Sequence, residues 1–244
     1  MDEQYRTQYH ELEEQHYWFR GRREAILRHL APLPVESKIL DVGCSSGVLL
    51  ETLRSLGYEQ LYGIDISEDS IDLARRRGLS QVHVMDATRM DFPQASFDVI
   101  ISSDSLEHIE DDAAVGREFH RLLRPAGRLI LYVPAHPFLW SGHDVVNHHF
   151  RRYTRRGLKR LIEAAGLRVL HSGYWNVTLF LPALLKRGLL DKLTGNAGRG
   201  VPDSDLELPP AALNRLLTTL LLLENRFGLA RLPGLSTFVV AEKA

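Results

Sequence analysis

The chain has 244 residues, a formal net charge of -1, 44% hydrophobic residues and 25% charged residues. That length suits one domain with an insertion, and near-neutrality removes any global electrostatic case for nucleic acid or an anionic membrane. The single cysteine, Cys44, excludes an intrachain disulfide and fits a reducing, cytoplasmic setting.

The opening stretch MDEQYRTQYHELEEQ is polar and acidic, so no secretory signal is expected. No run reaches the roughly 20 apolar residues that span a bilayer. An aromatic cluster, His16-Tyr17-Trp18-Phe19, precedes a short helix expected over 22–30 and stopped by Pro32 and Pro34. Five short apolar segments follow, at 38–42, 60–64, 81–85, 97–102 and 128–133. They read as strands buried on both faces.

Helical patterns fill the gaps. Over 48–56, Leu49, Leu50, Leu53 and Leu56 share a face, and Gly57 is placed for a left-handed cap. Ser67 can cap a helix running to 77 and closed by Gly78. Another is expected over 113–123, and Thr154 can cap one that Gly166 ends. Two further strands are expected at 167–174 and 237–241. Strands alternating with helices predict a parallel α/β sheet with right-handed crossovers.

The expected organisation is a helical lid segment over 1–35, a core over 36–175 that includes a substrate loop at 134–156, a helical insertion over 176–234, and a last core strand at 235–244. The insertion occupies about sixty residues where a short connection would do. In it Leu213, Leu216, Leu217, Leu220 and Leu221 share one helical face, opposite Asn214, Thr218 and Thr219. That face could pack on the sheet or against a second subunit. It could also form a hydrophobic lid or a shallow membrane contact for a lipid-linked acceptor, helped by Lys186, Arg187 and Lys192.

The first strand runs into a turn, "ILDVGCSSG", with Gly43 and Gly47 spaced G-x-x-x-G. A dinucleotide turn would read G-x-G-x-x-G, and the P-loop lysine is absent too. S-adenosylmethionine fits better. Asp41 offers a carboxylate for an ammonium group, and turn N–H groups at a helix start suit a carboxylate. Asp65 ends the second strand, where an acid can take both ribose hydroxyls. Asp86 ends the third, where it can accept from the adenine amino group while the Ala87 N–H donates to the ring.

Together "ILDVGCSSG", "YGIDIS", "VMDAT", "FDVIISSDSLEHI" and "LLRPAGRLILYVPA" resemble the successive motifs of class I S-adenosylmethionine-dependent methyltransferases. The resemblance implies a Rossmann-like seven-stranded sheet with an antiparallel last strand and helices on both faces. It implies a cofactor site lined by Asp41, Gly43, Ser45, Gly47, Asp65, Ile66, Asp86, Ala87 and Ser103. "EEQHYWFRGRREAIL" resembles the entry segment of a bacterial subgroup associated with polysaccharide, glycolipid or natural-product pathways. There Tyr17, Trp18 and Arg22 would fold over the cofactor. Alternatively Tyr17, Trp18 and Phe19 simply pack a helix on the sheet.

Four of the eleven histidines, His136, His143, His148 and His149, fall in the stretch after the fifth strand. It lies beyond the carboxyl ends of the strands, where open α/β sheets bind ligands. Trp140, His143, Arg152 and Tyr153 are the expected substrate contacts, and Arg151, Arg152, Arg155 and Arg156 could grip an anion. Arginines at a helix start oppose its dipole, so either a substrate anion or acidic neighbours should offset them. His108, His143 and His148 are the candidate bases for a hydroxyl acceptor. Some family members hold a divalent cation with an acid-x-x-Glu-His arrangement. Asp104 stands here where those usually have glutamate, and no metal is expected. The expected reaction is in-line methyl transfer to a small-molecule or lipid- or glycan-pathway acceptor. The alternatives are a nicotinamide-dependent oxidoreductase and a non-catalytic methyltransferase-like binding protein. The basic stretch 151–160 is short for tracking a nucleic-acid backbone.

Overall fold

The computed structural model describes residue 10, residues 12–185 and residues 208–244. Lys186, Arg187 and Lys192 lie outside the described residues. The chain begins with α1 (Tyr17–Leu30), β1 (Ile39–Val42), α2 (Val48–Ser55), β2 (Leu61–Asp65), α3 (Glu68–Arg76), β3 (Val82–Val84) and β4 (Phe97–Ser103). A short 3-10 turn (Leu106–His108), α4 (Asp112–Leu122) and β5 (Leu123–Pro134) follow. A second 3-10 turn (Pro137–Leu139) leads to α5 (Gly142–Val146), α6 (Arg155–Ala164), β6 (Leu167–Trp175), α7 (Phe180–Leu185), α8 (Ala211–Phe227) and β7 (Ser236–Lys243).

The strands form one sheet in the order β3-β2-β1-β4-β5-β7-β6. Strands β1 to β5 pair in parallel, while β7 runs antiparallel to both neighbours. The fold is thus the expected seven-stranded sheet. Strand side chains alternate between two apolar layers. Ile39, Val99, Ile101, Ile130 and Val240 join Ile26, Leu30, Leu50, Leu53 and Ile71 on one face. Leu40, Ile100, Leu129, Leu131 and Val239 join Val115, Phe119, Leu158 and Ile162 on the other. Burial on both faces explains why the strands read as continuous apolar runs.

The helix boundaries follow local chemistry. Ser67 and Thr154 cap α3 and α6 as expected, accepting from the N–H groups of Ser70 and Gly157. Gly57, Gly78 and Gly166 close their helices at φ of 94°, 79° and 92°, conformations that cost glycine little. Two boundaries differ. The first helix begins at Tyr17 rather than 22, capped by His16, whose ring nitrogen accepts from the Trp18 N–H. The fifth strand begins at Leu123 rather than 128, because Leu123 already pairs with Phe97.

The insertion helix α8 packs on α1. A Cβ at Gly21 would lie 2.8 Å from Leu221 Cδ1, so the helices meet where α1 has no side chain. Asn214 Oδ1 accepts from the Tyr17 N–H at 2.8 Å. Asn225 donates to the Gly21 carbonyl and accepts from the Trp175 indole. Glu224 caps the entry to α7, accepting from the N–H groups of Val177 and Thr178. The buried positions of α8 are therefore Thr218, Leu221 and Glu224. The expected leucine face is corrected: Leu213 and Leu216 are exposed, together with Leu222, Leu223 and Phe227. Directional polar contacts from Asn214, Glu224 and Asn225 oriented the helix, and apolar periodicity carries no record of them.

Candidate active site

The carboxyl ends of β1, β2 and β4, the loop after β5 and the end of β6 border one cavity of about 1050 Å³. At one part of it lies the glycine turn. Gly43 (φ 78°) and Ser45 (φ 49°) fold the chain back, and Gly47 (φ 79°) opens α2. The Gly43 and Cys44 N–H groups both donate to the Ile64 carbonyl. A side chain at Gly43 would strike Ser105 Oγ, 2.4 Å from the added Cβ. Gly47 does not line the cavity; a Cβ there would sit 2.4 Å from Leu79 Cδ1, so glycine lets α2 approach α3.

Asp65 locks the turn, its two oxygens accepting from the N–H groups of Ser45 (3.0 Å) and Ser67 (2.9 Å). Carboxylate oxygens have further lone pairs for a ligand's hydroxyls. Asp41 is buried beneath the turn rather than in the cavity wall. Burial, reinforced by Asp65 and Glu13, pushes its carboxyl up to about 8. Burial also raises Asp65, against the N–H bonds from Ser67 and Ser45. This crowding of acids is relieved by a bound cation, which suits a ligand carrying an ammonium or sulfonium group. Asp86 is exposed and accepts from the Thr88 N–H and hydroxyl, with Ile66 and Ala87 lining the same wall.

The N-terminal segment covers this turn differently from expectation. His10 reaches Ser45 Oγ at 3.3 Å and Ser70 Oγ at 3.4 Å, and Ser46 donates to Glu13. Tyr17 and Trp18 line the cavity, but Arg22 does not. Its guanidinium is buried among Trp18, Tyr132 and Trp175, 4.7, 4.5 and 4.2 Å from their ring centroids. It pairs with Asp104 Oδ2 at 2.9 Å and donates to Ser103 and Ser236. Arg22 is thus a staple behind the cavity floor rather than a lid, because the pairing with Asp104 and the three aromatic rings hold its charge inside.

The loop after β5 supplies the second part of the site. It docks on the segment after β4: the Phe150 N–H donates to the Glu107 carbonyl, Arg151 pairs with Asp112, and the Tyr153 hydroxyl donates to Asp112. This docking brings His149 beside His108, with ring centroids 4.6 Å apart. His149 Nδ1 donates to Asp144 Oδ1 at 2.9 Å, and Arg152 Nε donates to the same oxygen at 2.7 Å. Asp144 is fully buried. Burial favours its neutral form, but the His149 hydrogen bond and the Arg152 charge outweigh this and hold it well below the usual carboxylate range. An ionised carboxylate only accepts, so His149 carries its proton on Nδ1, which leaves Nε2 as the accepting nitrogen.

Of the expected substrate contacts, His143 and Arg152 line the cavity. Trp140 and Tyr153 do not. Trp140 is 43% exposed on the outer surface, and Tyr153 is buried with its hydroxyl on Asp112. The arginines are offset by acidic neighbours, Asp112 for Arg151 and Asp144 for Arg152. Arg155 lies over the Tyr174 ring instead. Among the expected bases, His108 is neutral: burial pushes it down to about 3. His143 and His148 both reach the cavity.

Sequence reasoning missed Asp144, Asn176, His10 and Glu13 as parts of this region; it placed Glu107 only in the acid-x-x-Glu-His arrangement and did not single out His149 among the loop histidines. His149 stood in the histidine-rich run, but only the docked loop separates it from its neighbours. Glu107, His108 and His149 each offer a ligand atom, all within 4.8 Å of one another, a spacing open to a divalent cation or to a shared proton. Burial, then the nearby Asp104, raises Glu107 well above its usual range.

Comparison with known proteins agrees with this geometry. A family profile described as a methyltransferase domain matches residues 13–172. A probable S-adenosylmethionine-dependent methyltransferase of Mycobacterium tuberculosis is 30% identical over 160 residues, 64% of this chain and 57% of that one. A ubiquinone biosynthesis O-methyltransferase of Idiomarina loihiensis is 35% identical over 98 residues, 38% of this chain and 40% of that one. The chain thus matches little more than half the length of the Mycobacterium relative. An S-adenosylmethionine-dependent methyltransferase from Mesorhizobium loti has the same fold, with a TM-score of 0.60 at 18% identity over 90% of this chain and 98% of that one. A nucleotide-type sheet, a G-x-x-x-G turn ringed by carboxylates and a profile match across most of the core converge: this chain belongs to the S-adenosylmethionine-dependent methyltransferase family.

Proposed function

We propose that this protein transfers the methyl group of S-adenosylmethionine to a hydroxyl of a small-molecule or lipid- or glycan-pathway acceptor. The Asp144–His149 pair is the general base. The observation that carries this reading is that the glycine turn and the carboxylate-oriented His149 open on the same cavity. The O-methyltransferase name of the Idiomarina relative supports an oxygen acceptor.

The residues present fit the cofactor. The turn at Gly43–Ser45, Asp65, and Asp86 with Ala87 would hold it, and Asp41 would balance its positive charge from below. When bound, S-adenosylmethionine would supply an electrophilic methyl with its sulfonium sulfur as the leaving group. The chain's own residues do the rest. His149 Nε2 takes the proton that the acceptor hydroxyl sheds, and Asp144 stabilises the resulting imidazolium. Arg152 helps keep Asp144 ionised, so the carboxylate is available to orient His149. Tyr17 and Trp18 from α1 exclude water, and orientation in a closed site removes several kcal/mol of barrier.

The test is His149→Gln, which keeps size and removes the base. Purified protein is incubated with methyl-labelled S-adenosylmethionine and with soluble and lipid extracts of its source cell. The variant should lose about 10²–10⁴ in kcat, the usual contribution of a general base, with binding of S-adenosylhomocysteine intact. Activity within a few-fold of wild type sinks the base assignment; no transfer by the wild type favours a non-catalytic binding protein. A second reading concerns location. The exposed Leu213, Leu216, Leu222, Leu223 and Phe227 on α8 support a peripheral membrane contact for a lipid-linked acceptor. Label entering the organic phase supports it. No helix among the described residues is long and apolar enough to cross a membrane.

A further inference from the structure

Where β6 ends, the chain turns through Asn176 in a left-handed conformation, φ 61°. Its carbonyl accepts from the Leu235 N–H, which fixes it beside the start of β7, at the carboxyl edge of the parallel strands. Its side chain is wholly buried yet borders the cavity. Neither Oδ1 nor Nδ2 has a hydrogen-bond partner among the described residues. Nearly all buried polar side-chain atoms in native proteins are paired, and leaving both ends of a carboxamide unpaired costs free energy. Glu107, also buried, borders the same cavity with Oε2 unpartnered.

We propose that Asn176 selects the acceptor's head group, and that this head is uncharged and carries neighbouring hydroxyls. The inference rests on the reading that the acceptor enters beside His149. A hydroxyl both donates and accepts, so a pair of them satisfies Oδ1 and Nδ2 together. A phosphate or carboxylate only accepts and leaves Oδ1 unpaired. An ammonium only donates and leaves Nδ2 unpaired. Charge points the same way. Glu110 and Asp111 line the cavity, Asp104 is paired with Arg22, and the lining arginine, Arg152, is already paired with Asp144. An anionic head would find acids but, among the described residues, no unpaired arginine there to offset its charge. Leu179, Pro182 and Ala183 line the wall that follows Asn176 and suit an apolar body behind the head.

Sugars and aromatic diols share this chemistry, so the probes include both. Octyl glucoside, octylcatechol and octyl phosphate, each below its micelle concentration, are titrated into the full chain by calorimetry, with and without S-adenosylhomocysteine. At least one diol should bind saturably and about tenfold or more tighter than octyl phosphate, the size of one well-placed polar discrimination. Asn176→Ala should weaken the diol about tenfold and leave octyl phosphate unchanged. Asn176→Gly, which tolerates the left-handed backbone and also removes the carboxamide, should do likewise if the alanine variant fails to fold. Octyl phosphate matching or beating both diols overturns the proposal. So does diol binding indifferent to both variants, or no binding of any probe. Failure of S-adenosylhomocysteine to bind the wild type counts instead against the methyl-transfer reading, while the diol-to-phosphate ratio still decides this one.

Discussion

Arg22 allows the sharpest test of how this fold is held. Its side chain is 3% exposed, encloses one charge between three aromatic rings, and is joined to Asp104, Ser103 and Ser236. Arg22→Met keeps the length of the side chain and removes the charge. It leaves the Asp104 carboxylate, 17% exposed, without its cation. Removing one partner of a buried pair costs about 3–5 kcal/mol. The lost ring contacts add to that, at about 0.5–2 kcal/mol each, although methionine recovers part of the packing. We expect a loss of about 4 kcal/mol, which for a chain of this size lowers Tm by roughly 8–16 °C. Urea unfolding and thermal melting of the full chain measure it. Pairing the change with Asp104→Asn removes the stranded charge, so the double variant should be more stable than Arg22→Met alone. A single variant within about 1 kcal/mol of wild type, or a double variant less stable than the single, would refute the staple.

Other consequences concern the turn and the insertion. Asp41 titrates near 8 in the fold against 3.8 when free. Between those values the unfolded chain gives up a proton that the folded chain keeps, so stability falls as pH rises through this window and levels off above it. Urea midpoints across the range should show the slope in the ligand-free wild type and a flatter profile in Asp41→Asn. Gly47→Ala places a Cβ 2.4 Å from Leu79 at φ 79°. Left-handed strain of about 1–2 kcal/mol plus the clash predicts a loss near 3 kcal/mol in unfolding experiments. On α8, Leu216→Glu with Leu223→Glu alters exposed positions. Stability should stay within about 0.5 kcal/mol per site, while flotation with lipid vesicles is lost; unchanged flotation would remove the membrane reading.

Much of this protein was legible in one dimension because the physics is local. Strands buried on both faces must be apolar throughout, so 38–42, 60–64 and 97–102 announced themselves. Ser67, Thr154, Gly57 and Gly78 mark helix ends because caps and left-handed turns are satisfied within a few residues. The G-x-x-x-G turn with Asp65 and Asp86 at successive strand ends is local as well, since each acid sits next to the strand that positions it. The histidine-rich loop was visible, but the member oriented by a buried carboxylate was not. His149 differs from His143 and His148 only through Asp144, Arg152 and the docking of the loop on Glu107 and Asp112, and these are contacts between elements. Arg22 is the same case in reverse: its sequence neighbours suggest a lid, while Tyr132, Trp175, Asp104 and Ser236, all distant in the chain, make it a buried staple. The α8 face followed Asn214 and Glu224 rather than leucine spacing, because a hydrogen bond depends on direction and hydrophobic burial does not. Asn176 had no signal at all, since a lone asparagine after a strand becomes a cavity residue only when β6 and β7 close the sheet beside it.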